Sequence, residues 1–250
     1  MTSFVTCIKL CPGYEDYVQR LKVYVENISS LCGTPFEIII VEEKAKGFFV
    51  EPTLSKDWLD VRHARVIEFT PNYANPYGYN MIEAYAKNVG IREAIHPYVC
   101  VTNADVFFDK AFIENLKHLK PMTFYRFKQY EIPLPEEWSW ECVQKSMTTS
   151  KWENPQILNG TIQGIAYKSG DVMLMHSDGW HQIGGYPEND VWVHSDLIVC
   201  VVVSNNGIPV VVPDAGVYTY AQVRTRKEQP HEMQTALRYA RSLVTNPSTS

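Results

Sequence analysis

The chain has 250 residues, with 23 Lys and Arg against 28 Asp and Glu, a formal net charge of −5. With 45% apolar and 20% charged residues it can bury a proper core, at a length that suits one domain or two. The acidic balance argues against a nucleic-acid binder, which needs a basic face for phosphates, and the one basic cluster, Arg224 to Lys227, is too short to alter that.

Phe4 to Leu10 is a short β-rich run ended by Pro12-Gly13, which reads as a strand and a turn. Apolar residues then fall at 14, 17, 18, 21, 25 and 28, the spacing of an amphipathic helix closed by Gly33 and Pro35. Phe36 to Val41 is nearly unbroken apolar chain, the pattern of a strand covered on both faces, and it ends at Glu42 and Glu43. A polar stretch leads to a third strand, Ala64 to Phe69, and the turn-rich segment Pro71 to Tyr79 precedes a helix from about Asn80 to Ile95. Tyr98 to Phe108 is a fourth strand interrupted by Asn103-Ala104-Asp105, and Asp109 is placed to cap a helix over Phe112 to Leu119. The first 120 residues thus alternate strand and helix, which predicts an α/β fold with a mostly parallel central sheet and helices on both faces.

The second half reads differently. Residues 131 to 160, rich in Trp, Pro, Glu and Ser without a clear period, are expected to form a long surface excursion. Gly170 to Met175 and Ile208 to Val212 read as strands, and His231 to Val244 as a helix. Leu197 to Val203 fits a strand or a buried helix, with His194-Ser195-Asp196 before it resembling a helix cap. A single domain over 1–250 is expected, divided into a half 1–120, a half 121–225, and a helix and tail over 226–250.

The six cysteines show no C-x-x-C pair and no zinc spacing, so a reducing compartment is the expectation. No secretory signal is read at the N-terminus, and the longest apolar run, Leu197 to Val203, is far short of the ~20 residues of a membrane span. A soluble, cytoplasmic protein follows. On that ground the sequons at Asn27 and Asn159 are set aside.

In an open parallel sheet, ligands bind beyond the carboxyl ends of the strands, near the point where strand order reverses. Three such ends are polar here: Pro12-Gly13-Tyr14, Glu42-Glu43 and Asn103-Ala104-Asp105. If the chain stays extended, Asn103 and Asp105 project to one side, two oxygen ligands suited to Mg²⁺ or Mn²⁺. No phosphate-binding Gly-rich loop and no nucleophile elbow is present.

The order of these motifs resembles a GT-A glycosyltransferase, nearest the family 2 group of nucleotide-diphospho-sugar transferases. Phe36 to Glu43 is similar to that group's second strand, whose terminal acids contact base and ribose. Ala86-Lys87-Asn88-Val89-Gly90-Ile91 resembles its A-R-N-x-G-I helix, with Lys87 where Arg is usual. Thr102-Asn103-Ala104-Asp105 stands where the D-x-D metal motif belongs, with Asn in place of the first Asp. Trp180 to Glu188 is similar to the aromatic-x-x-[IV]-G-G-[FY]-x-E stretch that shapes the sugar and acceptor pocket. His194 to Leu197 falls where the catalytic base is supplied, and Asn206 to Ala215 matches the closing strand. A late His that often completes the metal site is missing, the region reading Val217-Tyr218-Thr219-Tyr220, and His176 or His181 is the substitute to consider.

The resemblance implies an inverting, metal-assisted sugar transfer from a nucleotide-diphosphate donor, UDP-sugar favoured, to an acceptor hydroxyl of a glycan or other molecule. Asp196 is the candidate base, Asp190 the second and Asp178 the third. Donor contacts are expected from Pro12, Glu42 or Glu43 (the other solvent-exposed), Tyr77, Asn80, Asn88, Asn103, Ala104, Asp105 and Gly185, and acceptor contacts from Trp180, Tyr186 and Trp192. Asp105 and Asn103 would hold Mn²⁺ or Mg²⁺. A sugar nucleotidyltransferase and a non-catalytic nucleotide-sugar or glycan-binding module remain as alternatives.

Overall fold

The computed structural model describes residues 1–8, 16–43, 54–70, 83–149, 172–188 and 195–220. Strand β1 (Thr2–Ile8) is followed by helix α1 (Asp16–Leu31), β2 (Phe36–Glu43), the short α2 (Lys56–Asp60) and β3 (Ala64–Phe69). Next come α3 (Glu83–Glu93), β4 (Tyr98–Thr102), β5 (Val106–Phe108) and α4 (Lys110–Asn115). Then follow β6 (Phe124–Tyr125), β7 (Lys128–Ile132), α5 (Trp140–Thr148), β8 (Val172–His176) and α6 (Ser177–Ile183). Helix α7 (Ser195–Asn205), β9 (Val210–Val211) and β10 (Gly216–Tyr220) complete the described elements.

The main sheet has the order β3-β2-β1-β4-β8-β6-β9, and a second sheet the order β5-β10-β7. Four of the six neighbouring pairs in the main sheet are parallel, and β8 runs antiparallel to both β4 and β6. Strand alternation divides the core cleanly. Phe4, Ile38, Ile40, Cys100 and Leu174 face α1 and α2, while Val5, Ile39, Val41, Val101 and Met173 face α3, α6 and α7. Each fully buried aliphatic side chain contributes roughly 1.5–3 kcal/mol, so strands covered on both faces need the continuous apolar runs seen here.

On the α3 face the helix lies close. A Cβ on Gly90 would stand 2.2 Å from Val5 Cγ1, so only glycine allows this approach. On the other face α1 packs through Leu21, Tyr24 and Ile28, and its Asn27 is buried, donating to the Phe108 carbonyl at 2.9 Å and accepting from the Phe108 amide at 2.8 Å. That pairing gives Asn27 a structural duty.

Several expected elements need correction. The polar stretch before β3 contains α2, whose Ser55 hydroxyl accepts from the Trp58 amide. The expected excursion over 131–160 is ordered where it is described: β7 runs to Ile132, and α5 is capped by the Ser139 hydroxyl accepting from Cys142 N. Leu197 to Val203 is helical, part of α7. The expected helix over Phe112 to Leu119 is α4 plus a 3₁₀ turn, Leu116–His118, with the Asp109 carboxylate accepting from Phe112 N at 2.8 Å. The expected tail helix, 231–244, lies outside the described residues. Among the described residues no helix is long and apolar enough to cross a membrane.

Candidate active site

Strand order reverses at β1, which has β2 on one side and β4 on the other. The crevice beyond the carboxyl ends of these strands is where a sheet of this kind receives a ligand. Parallel register sets Ile8 level with Glu42 and Val5 level with Val101, so the ends of β1, β2 and β4 share one edge.

After Thr102 the chain turns through Ala104 and Asp105 before entering β5. The turn removes the extended geometry on which a common direction for Asn103 and Asp105 depended. Asn103 Oδ1 accepts from Lys87 Nζ of α3 at 3.0 Å. Asp105, buried, has Oδ2 3.8 Å from Arg20 Nη1 of α1. Helices α1 and α3 cover opposite faces of the sheet, so the two side chains turn to opposite sides of its edge.

The α3 side is densely bonded. Lys87 is buried and donates to Glu83 Oε2 at 2.6 Å, one turn earlier on the helix. Burial is the largest single influence and lowers the Lys87 pKa, but the Glu83 carboxylate, with Tyr186 and Cys7 adding to it, holds it well above the ordinary lysine value. Lys87 in turn lowers Glu83, against the effect of burial. The next residue, Asn88, clamps the chain after α6. Its Oδ1 accepts from Tyr186 N at 2.7 Å, and its Nδ2 donates to Tyr186 O at 2.7 Å and Glu188 Oε1 at 2.9 Å. Gly184 and Gly185 take φ of 73° and 78°, and a Cβ on Gly185 would meet Asn88 Oδ1 at 2.4 Å.

Trp180 and Tyr186, expected at an acceptor, lie in the core instead, 1% and 2% exposed and stacked with ring centroids 5.7 Å apart. Trp180 Nε1 donates to Val99 O at 3.1 Å, and Tyr186 Oη to Met173 Sδ at 3.1 Å. Tyr186 is nevertheless a hub for charge. Burial raises its pKa, Lys87 and Arg126 lower it, and Asp196 and Glu83 raise it. Burial pushes the Cys200 thiol up to about 11, with Arg126 opposing and Asp196 adding to the rise. Asp196, in the first turn of α7, therefore shares this surrounding with the buried Arg126, which follows β6.

Both acids ending β2 are buried, so neither is the solvent-exposed member of the pair. Glu42 lines a cavity of about 300 Å³ with Leu54, Lys56, Leu59 and Glu68 on the α1 and α2 face. Glu43, by alternation, lies on the α3 face, where burial, then Glu83, raises the Cys7 thiol pKa, Lys87 lowers it and Glu43 adds a smaller rise.

His176 pairs in register with Tyr98, at the start of β4, and its Nδ1 lies 3.3 Å from Asp178 Oδ2. Both belong to the opposite edge of the sheet from Asn103, so Asp178 is removed as a base and His176 as a late metal ligand. His181 is exposed on the same helix, α6. Pro12, Tyr77, Asn80, Asp190 and Trp192 lie outside the described residues.

A seat for Mn²⁺ or Mg²⁺ needs several oxygen ligands converging on one point. Among the described residues no three His, Cys, Asp or Glu side chains converge in that way. Asn103 and Asp105 face different helices, and each already has a side-chain cation within 4 Å. These residues do not fit the ion. Sequence reasoning passed over Arg20, Glu83 and Arg126. For the first two the signal was an oppositely charged residue one turn away, Asp16 and Lys87 respectively; nothing local marks Arg126.

The fold has solved counterparts. The crystal structure of S. aureus TarS, a GT-A-type glycosyltransferase, superposes with a TM-score of 0.64 at 12% identity. It is matched over 100% of this chain and 40% of TarS. This chain has the GT-A fold. TarS 1-349 in complex with UDP-GlcNAc gives 0.65 at 12% identity, covering 100% of this chain and 68% of that one. The same piece in complex with UDP gives 0.62 at 13%, covering 100% and 67%. Identities this low speak for the fold alone. No protein-family profile matches the sequence, and no curated protein matches it.

Proposed function

We propose that the chain is a glycosyltransferase that moves a sugar from a nucleotide-diphosphate donor, a UDP-sugar in the first instance, to an acceptor hydroxyl. The observation that carries this reading is the gathering of Lys87, Asn103, Asp105 and Arg20 at the switch-point edge of a GT-A sheet. The UDP-GlcNAc and UDP complexes of the structurally similar TarS 1-349 support the choice of donor class.

The chemistry is a single displacement with inversion at the anomeric carbon. The acceptor oxygen forms the new glycosidic bond, the bond to the diphosphate breaks, and the acceptor proton goes to a carboxylate. Asp196 is the proposed base, a role worth roughly 10²–10⁴-fold in rate. Its place at the first turn of α7, in the charged surroundings of Arg126 and Tyr186, supports it. Two measurements test the reading. UDP present at about a hundred times its Kd should stabilise the protein by roughly 2.7 kcal/mol in a thermal-shift assay, against no shift with GDP, dTDP or CMP. Asp196→Asn should cut transfer from UDP-sugars by roughly 10²–10⁴-fold with UDP binding retained. Unaltered transfer would remove Asp196 from the mechanism, and absence of any nucleotide shift would remove the donor site.

A non-catalytic nucleotide-sugar-binding module is the second reading. Asn103 favours it, since an amide bound to Lys87 stands where the resemblance implies a carboxylate. UDP binding with no turnover in either the parent chain or Asp196→Asn is the result it requires.

A further inference from the structure

A GT-A donor brings a diphosphate whose negative charge grows as the sugar leaves, so the site has to supply positive charge beside it. The described residues offer little to hold a metal there. The turn after β4 provides one carboxylate, Asp105, and one neutral amide, Asn103, directed to opposite faces of the sheet. Near Asp105 the end of β10 contributes Tyr220, a buried phenol that feels both Arg20 and Asp105 and has no hydrogen-bond partner for Oη among the described residues. Phenol and amide oxygens are neutral, whereas a hard divalent ion in such a site is ordinarily held through carboxylates.

Two side-chain cations already stand at this edge, each beside acids: Lys87 beside Glu83, and Arg20 beside Asp16 and Asp105. Lys87 is fixed between Glu83 Oε2 and Asn103 Oδ1, at 2.6 and 3.0 Å. Arg20 is held by Asp16 from the preceding turn, at 3.0 Å from Nε, and lies over the rings of Tyr17 and Trp138, each centroid 4.8 Å away. That framing fixes a planar fork of N–H donors beside Asp105, the geometry that suits phosphate oxygens. An ammonium has three donors, and these two bonds account for two of them.

We propose that the donor's diphosphate is bound through the N–H donors of Lys87 and Arg20, without a divalent ion. The proposal rests on the donor reading above and adds the means by which the phosphates are held. Each cation lies beside one of the two side chains expected to be metal ligands, so N–H donors of the chain stand where the ion was expected.

The test is a calorimetric titration of the whole chain with UDP and with uridine, in EDTA and in Mn²⁺. UDP should bind equally well in both buffers. Lys87→Met and Arg20→Met should each weaken UDP by ~10–100-fold, the effect of losing one charge-assisted hydrogen bond to phosphate, and leave uridine unchanged. Circular dichroism checks that each variant is folded. If Lys87→Met does not fold, the buffer comparison on the unaltered chain and the half-buried Arg20→Met still decide the matter. UDP that binds only with Mn²⁺ overturns the proposal and leaves the donor reading standing. A parallel loss of uridine in Arg20→Met also overturns it, since Arg20 would then shape the site as a whole. No UDP binding in either buffer overturns both.

Discussion

The two faces of the main sheet deliver charge to the same edge by opposite means. On the α3 face, small residues bring a helix close, Gly90 against Val5, and a run of consecutive side chains then does separate work. Lys87 holds Asn103, while Asn88 holds the Gly185-Tyr186 turn. On the α1 face the helix packs through bulky groups, and Arg20 reaches the edge from among aromatic rings. On the α3 face the Asn88 amide is tied to the Tyr186 backbone through both its oxygen and its nitrogen, while Lys87 pairs with Glu83, which is 44% exposed. The α1 arrangement rests on stacking and on an ion pair whose Asp16 is 42% exposed. Removing Asn88 should therefore be read chiefly in stability, and removing Arg20 or Lys87 chiefly in ligand affinity.

The largest expected effect is at the clamp. Asn88→Ala deletes three hydrogen bonds and leaves the buried Tyr186 amide without its acceptor, a loss of about 3 kcal/mol in urea-unfolding free energy. Gly185→Ala should cost a similar amount, about 2–3 kcal/mol, because φ of 78° strains any Cβ and the new methyl meets Asn88 Oδ1 at 2.4 Å. If both variants unfold at the parent's urea midpoint, the Asn88 clamp does not act through stability.

Next in size is Gly90→Ala. Its methyl would stand 2.2 Å from Val5 Cγ1, and the helix must move off the sheet by overpacking, at about 1–3 kcal/mol. Because α3 carries Lys87, the same shift should weaken UDP binding, so this one variant reports both stability and site geometry. Arg20→Met is the contrasting case: it gives up a partly solvated pair with Asp16, worth less than about 1 kcal/mol, and a longer 3.8 Å contact to the buried Asp105, so its stability loss should stay below that of Gly90→Ala. A stability loss from Arg20→Met as large as that from Gly90→Ala would erase the distinction between the faces.

These differences mark what could be read in the sequence. The central strands were legible because burial on both faces demands unbroken apolar runs, and Phe36 to Val41 falls within β2. Helix α2 escaped because five residues are too few to show a period, although Ser55 was an available cap signal. The motif after β4 was legible as a position and misleading as a geometry. Alternation holds only in extended chain, and the turn at Ala104 and Asp105 sends one side chain to each helix. Trp180 and Tyr186 sit beside glycines, which suggested a pocket, yet those glycines let the chain turn back so that both rings enter the core. Arg20 was legible only as half of a pair with Asp16 one turn earlier, since nothing within α1 says that its guanidinium also meets a carboxylate from beyond β4.

The smallest expected effect separates the two faces by pH. Lys87 has its folded pKa raised, so its contribution is complete below the unfolded lysine value and is lost only as pH rises through the folded one, far into alkali. Glu83 has its folded pKa lowered from 4.5, so its contribution is present above that value and fades as pH falls through the lower, folded one. Glu83→Gln should therefore cost under about 1 kcal/mol at neutral pH, with the carboxylate partly solvated, and the gap to the parent should close in acid. Urea unfolding of both proteins from pH 7 down to pH 3 measures it. A gap that stays constant across that range would mean the carboxylate acts through shape alone. Lys87 would then owe its position to Asn103 and the packing of α3, and the charge on this face would be set by burial rather than by the ion pair.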